Sequence, residues 1–140
     1  MLKRAEVVCF CMTLAGVYED YPFRDKNWTV MRHRGNKRGF AWIFERNGVL
    51  WVNVKAKPEL CDLWRHTYAW VVPGYHMNKT HWNSLILRPG VPREQVKNMI
   101  FDSYMLTGGI DKMAPGYKNK KDADRGKKTG IYPPEDVFNQ

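Results

Sequence analysis

The dipeptide Asn47-Gly48 constrains this chain more than any other pair of residues. A two-residue hairpin turn of type I′ needs positive φ at both central positions, and Asn-Gly supplies that at low steric cost. Before it, residues 38–45 alternate: Phe40, Trp42 and Phe44 share one face, Ala41 and Ile43 the other. After it, residues 49–55 read as a further strand. Upstream, Gly35-Asn36 marks a second tight turn, and residues 28–34 alternate before it. Two short turns joining three strands make an antiparallel meander over 28–55. Bulk makes Phe40, Trp42 and Phe44 the expected core-facing surface, with Ala41 and Ile43 the alternative.

Helical patterns flank the meander. Over residues 2–14, Ala5, Val8, Cys9 and Met12 fall on one face, and Gly16 lies just past the end. Pro22 bars any continuation into Tyr18-Glu19-Asp20-Tyr21. Pro58 suits a first helical position, and Leu60, Leu63, Trp64, Thr67 and Tyr68 follow at helical spacing, giving a helix over about 58–69. A strand is expected over 81–87. Pro92 opens a third helix with Val96, Met99, Ile100, Ser103 and Tyr104 on one stripe, stopped by Gly108-Gly109. The order αβββαβα, with hairpins in place of crossovers, predicts an α+β fold with an antiparallel sheet packed against helices. Helices one and three should share a face of the sheet, since each offers a single apolar stripe. One domain is expected over 1–108. Residues 109–140 form a basic extension in which Ile131, Tyr132, Val137 and Phe138 are the candidates for docking back.

The charge is distributed in patches. The 140 residues carry a net +9. Residues 24–46 hold seven Lys and Arg against Asp25 and Glu45, and residues 112–128 hold seven more against Asp122 and Asp124. Two basic patches on a near-neutral body suit a polyanionic partner, nucleic acid above all. The other reading is an ordinary soluble basic surface. The apolar fraction of 44% with six Trp excludes a wholly disordered chain. No apolar run reaches the ~18 residues of a membrane span, so no membrane role is expected and the setting is cytoplasmic. Cys9, Cys11 and Cys61 read as reduced, buried small hydrophobes.

The segment Val71-Val72-Pro73-Gly74-Tyr75-His76-Met77-Asn78-Lys79-Thr80-His81-Trp82-Asn83 is crowded with donors and has no carboxylate. A core stretch would need a partner for each of them. Two roles stay open. The loop is a ligand site built from Tyr75, His76, Asn78, Lys79, His81 and Trp82. Alternatively it is a structural keystone whose side chains satisfy an irregular backbone, with Glu19 or Asp20 as an orienting carboxylate. Gly74 to Lys79-Thr80 lacks the second Gly of a phosphate loop and runs from helix to strand, the reverse of the order that motif needs. His33, His66, His76 and His81 lack a convergent fourth ligand, so no metal and no cofactor are expected. No nucleophile has a base at a useful spacing, and no enzymatic activity is expected. The meander carries the clearest binding signal. Arg32, Arg34, Lys37 and Arg38 flank its first turn and Arg46 its far end, with Trp28, Trp42 and Trp51 interleaved. A basic-tipped ribbon fits a DNA groove and neutralises phosphates. A charged edge that blocks strand pairing is the alternative.

Glu19-Asp20-Tyr21-Pro22-Phe23, the meander, the run Val72 to Asn83 and Asp102-Ser103-Tyr104 together resemble the MmcQ/YjbR family over residues 1–108. The resemblance implies a CyaY/frataxin-like α+β fold and a DNA-binding role through hairpin wings. Only one hairpin here, 28–46, is clearly basic, and a wing around 81–90 offers just Arg88. Helix one has Glu6 alone, which does not fit an iron role. The expected function is DNA binding through Arg32, Arg34, Lys37, Arg38 and Arg46. Binding of a small or phosphorylated ligand at 73–83, or a protein-interaction role, are the alternatives. Neither the bound sequence nor the oligomeric state can be read from the chain.

Overall fold

A computed structural model describes residues 1–108; the basic extension from Gly109, with its docking residues, lies outside the described residues. The order is α1 (Arg4–Met12), β1 (Val17–Asp20), β2 (Thr29–His33), β3 (Gly39–Arg46), β4 (Val49–Lys55), α2 (Pro58–Thr67), β5 (Val71–Pro73), β6 (Trp82–Ile86) and α3 (Arg93–Leu106). The fold is α+β, as expected, with one six-stranded sheet in the order β1-β2-β3-β4-β6-β5. Every pairing is antiparallel. The meander is β2-β3-β4, and Asn47 and Gly48 both take positive φ at its second turn. Two edge strands went unread in the sequence. β1 is four residues long and precedes Pro22, so it looks like a turn; β5 is three residues long and ends at Pro73.

The expected register in β3 holds only in part. Met31 pairs with Ala41 but Arg32 pairs with Gly39, so Phe40 is the extra residue of a β-bulge. A bulge breaks the period-2 alternation. Phe40 therefore joins Ala41 and Ile43 on the helix side, while Phe44 belongs to a separate cluster on the other side. The regular ladder between β3 and β4 begins only at Ala41 and Val54. Beyond it, the buried Ser103 hydroxyl of α3 accepts the Lys55 N–H at 2.9 Å and donates to the Phe40 carbonyl at 2.7 Å. One side chain thus bridges β3 and β4 just past the end of their direct ladder.

The three helices among the described residues cover the same face. Val7 and Cys11 of α1, Cys61 and Trp64 of α2, and Val96, Met99, Ile100 and Tyr104 of α3 pack with Met31, Ile43, Val52, Val54 and Leu85 of the sheet. The stripe of α3 is the expected one. That of α1 is rotated: Val7 and Cys11 are buried, while Cys9 and Met12 are exposed. Arg4 lies on the same stripe as Val7 and Cys11, and its guanidinium donates to Asn27 O at 2.8 Å, Thr29 Oγ1 at 3.0 Å and Ile43 O at 3.2 Å, which holds the helix in this rotation. In α2, Leu63 is likewise exposed and Cys61 takes the buried place.

Candidate functional site

The opposite face of the sheet carries no helix among the described residues. It is covered by two irregular segments, 21–28 and 74–81. Each is held by its own set of buried or half-buried polar side chains.

Segment 74–81 is fixed from below and from behind. Tyr75 N–H donates to Ser84 Oγ at 2.8 Å, and Tyr75 O accepts from Asn53 Nδ2 at 2.9 Å. Ser84 Oγ in turn donates to Asn53 Oδ1. These two residues face each other across β4 and β6. Both are fully buried, and each satisfies the other as well as the loop. From α2, the Arg65 guanidinium donates to Asn83 Oδ1 at 2.6 Å, to Trp82 O at 3.2 Å and to Lys79 O. Asn78 Oδ1 accepts the N–H of Thr80 at 2.9 Å and of His81 at 3.3 Å, an Asx-type turn. Lys79 Nζ donates to Gly74 O at 2.9 Å and to Met77 O at 3.4 Å. Asn78 and Lys79 are thus engaged with the backbone of their own loop. Gly74 has its own reason: a Cβ there would lie 2.8 Å from Trp82 Cβ and 2.9 Å from Trp82 O.

Tyr75 and His76 do something else. His76 has φ 63°, in the left-handed region. A non-glycine residue there stores strain, which is retained where the surroundings fix the conformation. The strained backbone turns its exposed ring toward Tyr75, 4.0 Å between centroids, and Trp28, 6.4 Å. Tyr75 lies over Phe44, with Phe44 and Trp28 stacked at 4.2 Å. Arg46 caps the far end of the array, 4.4 Å over Tyr75 and 5.0 Å over Trp51.

Segment 21–28 meets this array from the β2 side. Asn27 docks on Glu45 as a strand would, donating Nδ2 to Glu45 O at 2.9 Å and accepting Glu45 N–H on Oδ1 at 2.8 Å. That places Trp28 on Phe44 and Phe23 edge-on to Trp28 at 6.2 Å. Between the two segments lies an open cleft of about 320 Å³ lined by Phe23, Asp25, Trp28, Trp42, His76 and Met77. Gly39 makes room for its indole wall, since a Cβ there would sit 2.8 Å from Trp42 Nε1.

The five cations expected to act together do not all do so. Arg32 pairs with Asp20, Nε to Oδ2 at 2.7 Å, and donates Nη1 to Lys37 O at 2.9 Å. Its guanidinium lies 5.7 Å from the Trp42 ring centroid. It is a brace for the turn. Arg46 sits at the other end of β3, about 24 Å away at the usual strand rise. Arg34, Lys37 and Arg38 remain exposed at the turn. Lys55, near Arg38, is buried beneath the turn with its ammonium 5.9 Å from the Trp82 ring. Burial, then the Arg38 cation, pulls its pKa down to about 8.

The orienting carboxylates are also placed differently. Glu19 accepts from the Tyr21 hydroxyl and Asp20 holds Arg32, both on β1, at the opposite edge of the sheet from β5. The carboxylate beside His76 is Asp25. His81 is half-buried and contributes its backbone carbonyl to Ala56 N–H at 3.0 Å. Among the described residues no three His, Cys, Asp or Glu converge as metal ligands, and no helix is long and apolar enough to cross a membrane. Sequence reading missed Arg4, Asn53, Arg65 and Ser84. Each reaches a partner 17 to 39 residues away along the chain, and no local pattern marks such a partner.

Residues 12–106 match the family described as YjbR. Bacillus subtilis YyaQ is 31% identical, over 76% of this chain and 99% of that protein. Escherichia coli YjbR is 27% identical over 71% and 82%. Among solved structures, a Pseudomonas syringae protein at 24% identity has a TM-score of 0.67 and covers 74% of this chain. A Deinococcus radiodurans protein with a DUF419 domain, at 25% identity, has a TM-score of 0.66 over 87%. With the family model spanning the chain from the end of α1 to α3, and YyaQ matched over nearly its whole length, the chain belongs to the MmcQ/YjbR family.

Proposed function

We propose that the protein is a nucleic-acid-binding module, with phosphates taken up by Arg34, Lys37 and Arg38 at the β2–β3 turn. The observation that carries this reading is three exposed cations presented on a braced turn. Arg32 ties the turn to Asp20 and to Lys37 O. Asn36 donates to Thr107 O at 3.0 Å and accepts Arg38 N–H at 2.8 Å. Arg34 N–H donates to Gly16 O at 2.7 Å. A turn already ordered loses little conformational freedom when it meets a partner. A binding role also agrees with the two buried thiols: burial pushes Cys11 up to about 12 and Cys61 up to about 11, away from the thiolate a nucleophile requires.

The test is a fluorescence anisotropy titration with labelled oligonucleotide across a salt series. Replacing Arg34, Lys37 and Arg38 by Ala is expected to weaken binding. The slope of log affinity against log salt should fall by roughly 0.7–0.9 for each phosphate that is no longer neutralised. The melting temperature should hold, because these side chains are exposed and Arg32 is kept. Unchanged affinity and slope would take the turn out of the interface.

A further inference from the structure

We infer that the cleft beside His76 receives one unpaired base of a single-stranded nucleic acid. The inference rests on the nucleic-acid reading above and names the form of partner and its second point of attachment. Three features of the cleft support it.

Its walls are ring systems. Phe23, Trp28, Trp42 and His76 line it with Met77. Phe23 is 46% exposed although it sits edge-on to a tryptophan. A planar heterocycle stacks on such walls whatever its identity, because every base has a π-face. His76 is held at φ 63° to supply one wall, and local strain of this kind concentrates where a ligand is gripped.

Its surroundings carry the matching charge on one side. Arg32 lies over the Trp42 wall and reaches Lys37 O in the β2–β3 turn, where Arg38 also sits. Asp25 lines the cleft itself. A phosphate is repelled by Asp25 and attracted at the turn. A nucleotide therefore enters with its base in the cleft and its backbone on the side of Arg38. That orientation brings the neighbouring phosphates onto Arg34, Lys37 and Arg38.

Its shape selects a strand over a free nucleotide. At about 320 Å³ and open to solvent, the cleft is at the small end for sites that enclose a ligand. An open stacking site gains most when a covalent backbone, held at the turn, delivers the base to it. A paired duplex keeps its bases stacked inside and offers none.

The experiment compares labelled oligothymidylate, an abasic deoxyribose-phosphate strand of the same length, a duplex, and thymidine monophosphate. Oligothymidylate is expected to bind about ten-fold or more tighter than the abasic strand, which keeps every phosphate. Phe23→Ala and His76→Gly should each narrow that gap while leaving the salt slope unchanged. Phe23 is exposed, and glycine relaxes the backbone at position 76, so both variants keep the fold. Equal binding of the two strands with a normal salt slope would overturn the cleft and leave the turn as the phosphate site. Duplex bound as tightly as oligothymidylate would overturn it too. So would monophosphate bound as tightly as the strand, which would make the cleft a free-nucleotide site. Failure of all four ligands to bind would overturn both this inference and the function it rests on.

Discussion

At the scale of single residues, the loop over the sheet is decided by Gly74 more than by Asn78. Asn78 is one of the polar residues on which the sequence's keystone alternative rests. It is exposed, so water replaces its two hydrogen bonds when it is truncated. Gly74 has no such relief, because an added Cβ meets the Trp82 backbone. Gly74→Ala is expected to cost about 1–3 kcal/mol, and Asn78→Ala less than about 1 kcal/mol. Urea unfolding of the two variants beside the parent measures both, and the reverse ranking would show that the loop does not depend on that close approach. Lys55 gives a second prediction with a definite sign. Its folded pKa, about 8, lies below the ordinary 10.5. Below pH 8 both states hold the proton and the cost of burying the ammonium is fully present. Between pH 8 and about 10.5 the unfolded chain holds more protons, so this residue's contribution to stability rises with pH. Lys55→Met should therefore gain most over the parent at neutral pH and lose that advantage toward pH 10.5. Parallel stability profiles for the two proteins would contradict it.

At the scale of elements, the β-bulge at Phe40 explains both a misreading and a dependency. Strict alternation over residues 38–45 puts Phe40, Trp42 and Phe44 together. One inserted residue sends Phe40 to the helices and leaves Trp42 and Phe44 on the open face. No composition signal separates a bulged strand from a regular one; Gly39 beside it is the nearest hint. The dependency runs through α3. Ser103→Ala would strand a buried N–H on Lys55 and a carbonyl on Phe40, with no water to replace the hydroxyl. A loss of about 2–5 kcal/mol is expected from the two broken partnerships, read by chemical denaturation, while Ser103→Thr should recover part of it. A loss below about 1 kcal/mol would mean that β3 and β4 hold together at this end without the hydroxyl. The same lesson applies to α1. Its apolar residues permit more than one stripe, and a single arginine reaching Asn27 selects which one faces inward.

At the scale of the whole molecule, what could be read was what repeats locally. The turns, the meander, the third helix and the α+β class follow from spacing and from the residues that turns demand. The cleft could not be read the same way. Phe23, Trp28, Trp42 and His76 come from three parts of the chain, brought together by Asn27 on one side and by Asn53, Ser84 and Arg65 on the other. Such a site exists only after the fold does. The two short outer strands have their own consequence. A sheet margin with unpaired backbone groups is a template on which another chain can grow. Here one margin is a four-residue strand bearing Glu19 and Asp20, and the other ends in Pro73, which has no N–H to offer. Both sides discourage an added strand. Among the described residues the sheet can thus keep a helix-free, ring-rich face without inviting its own copies to line up along it.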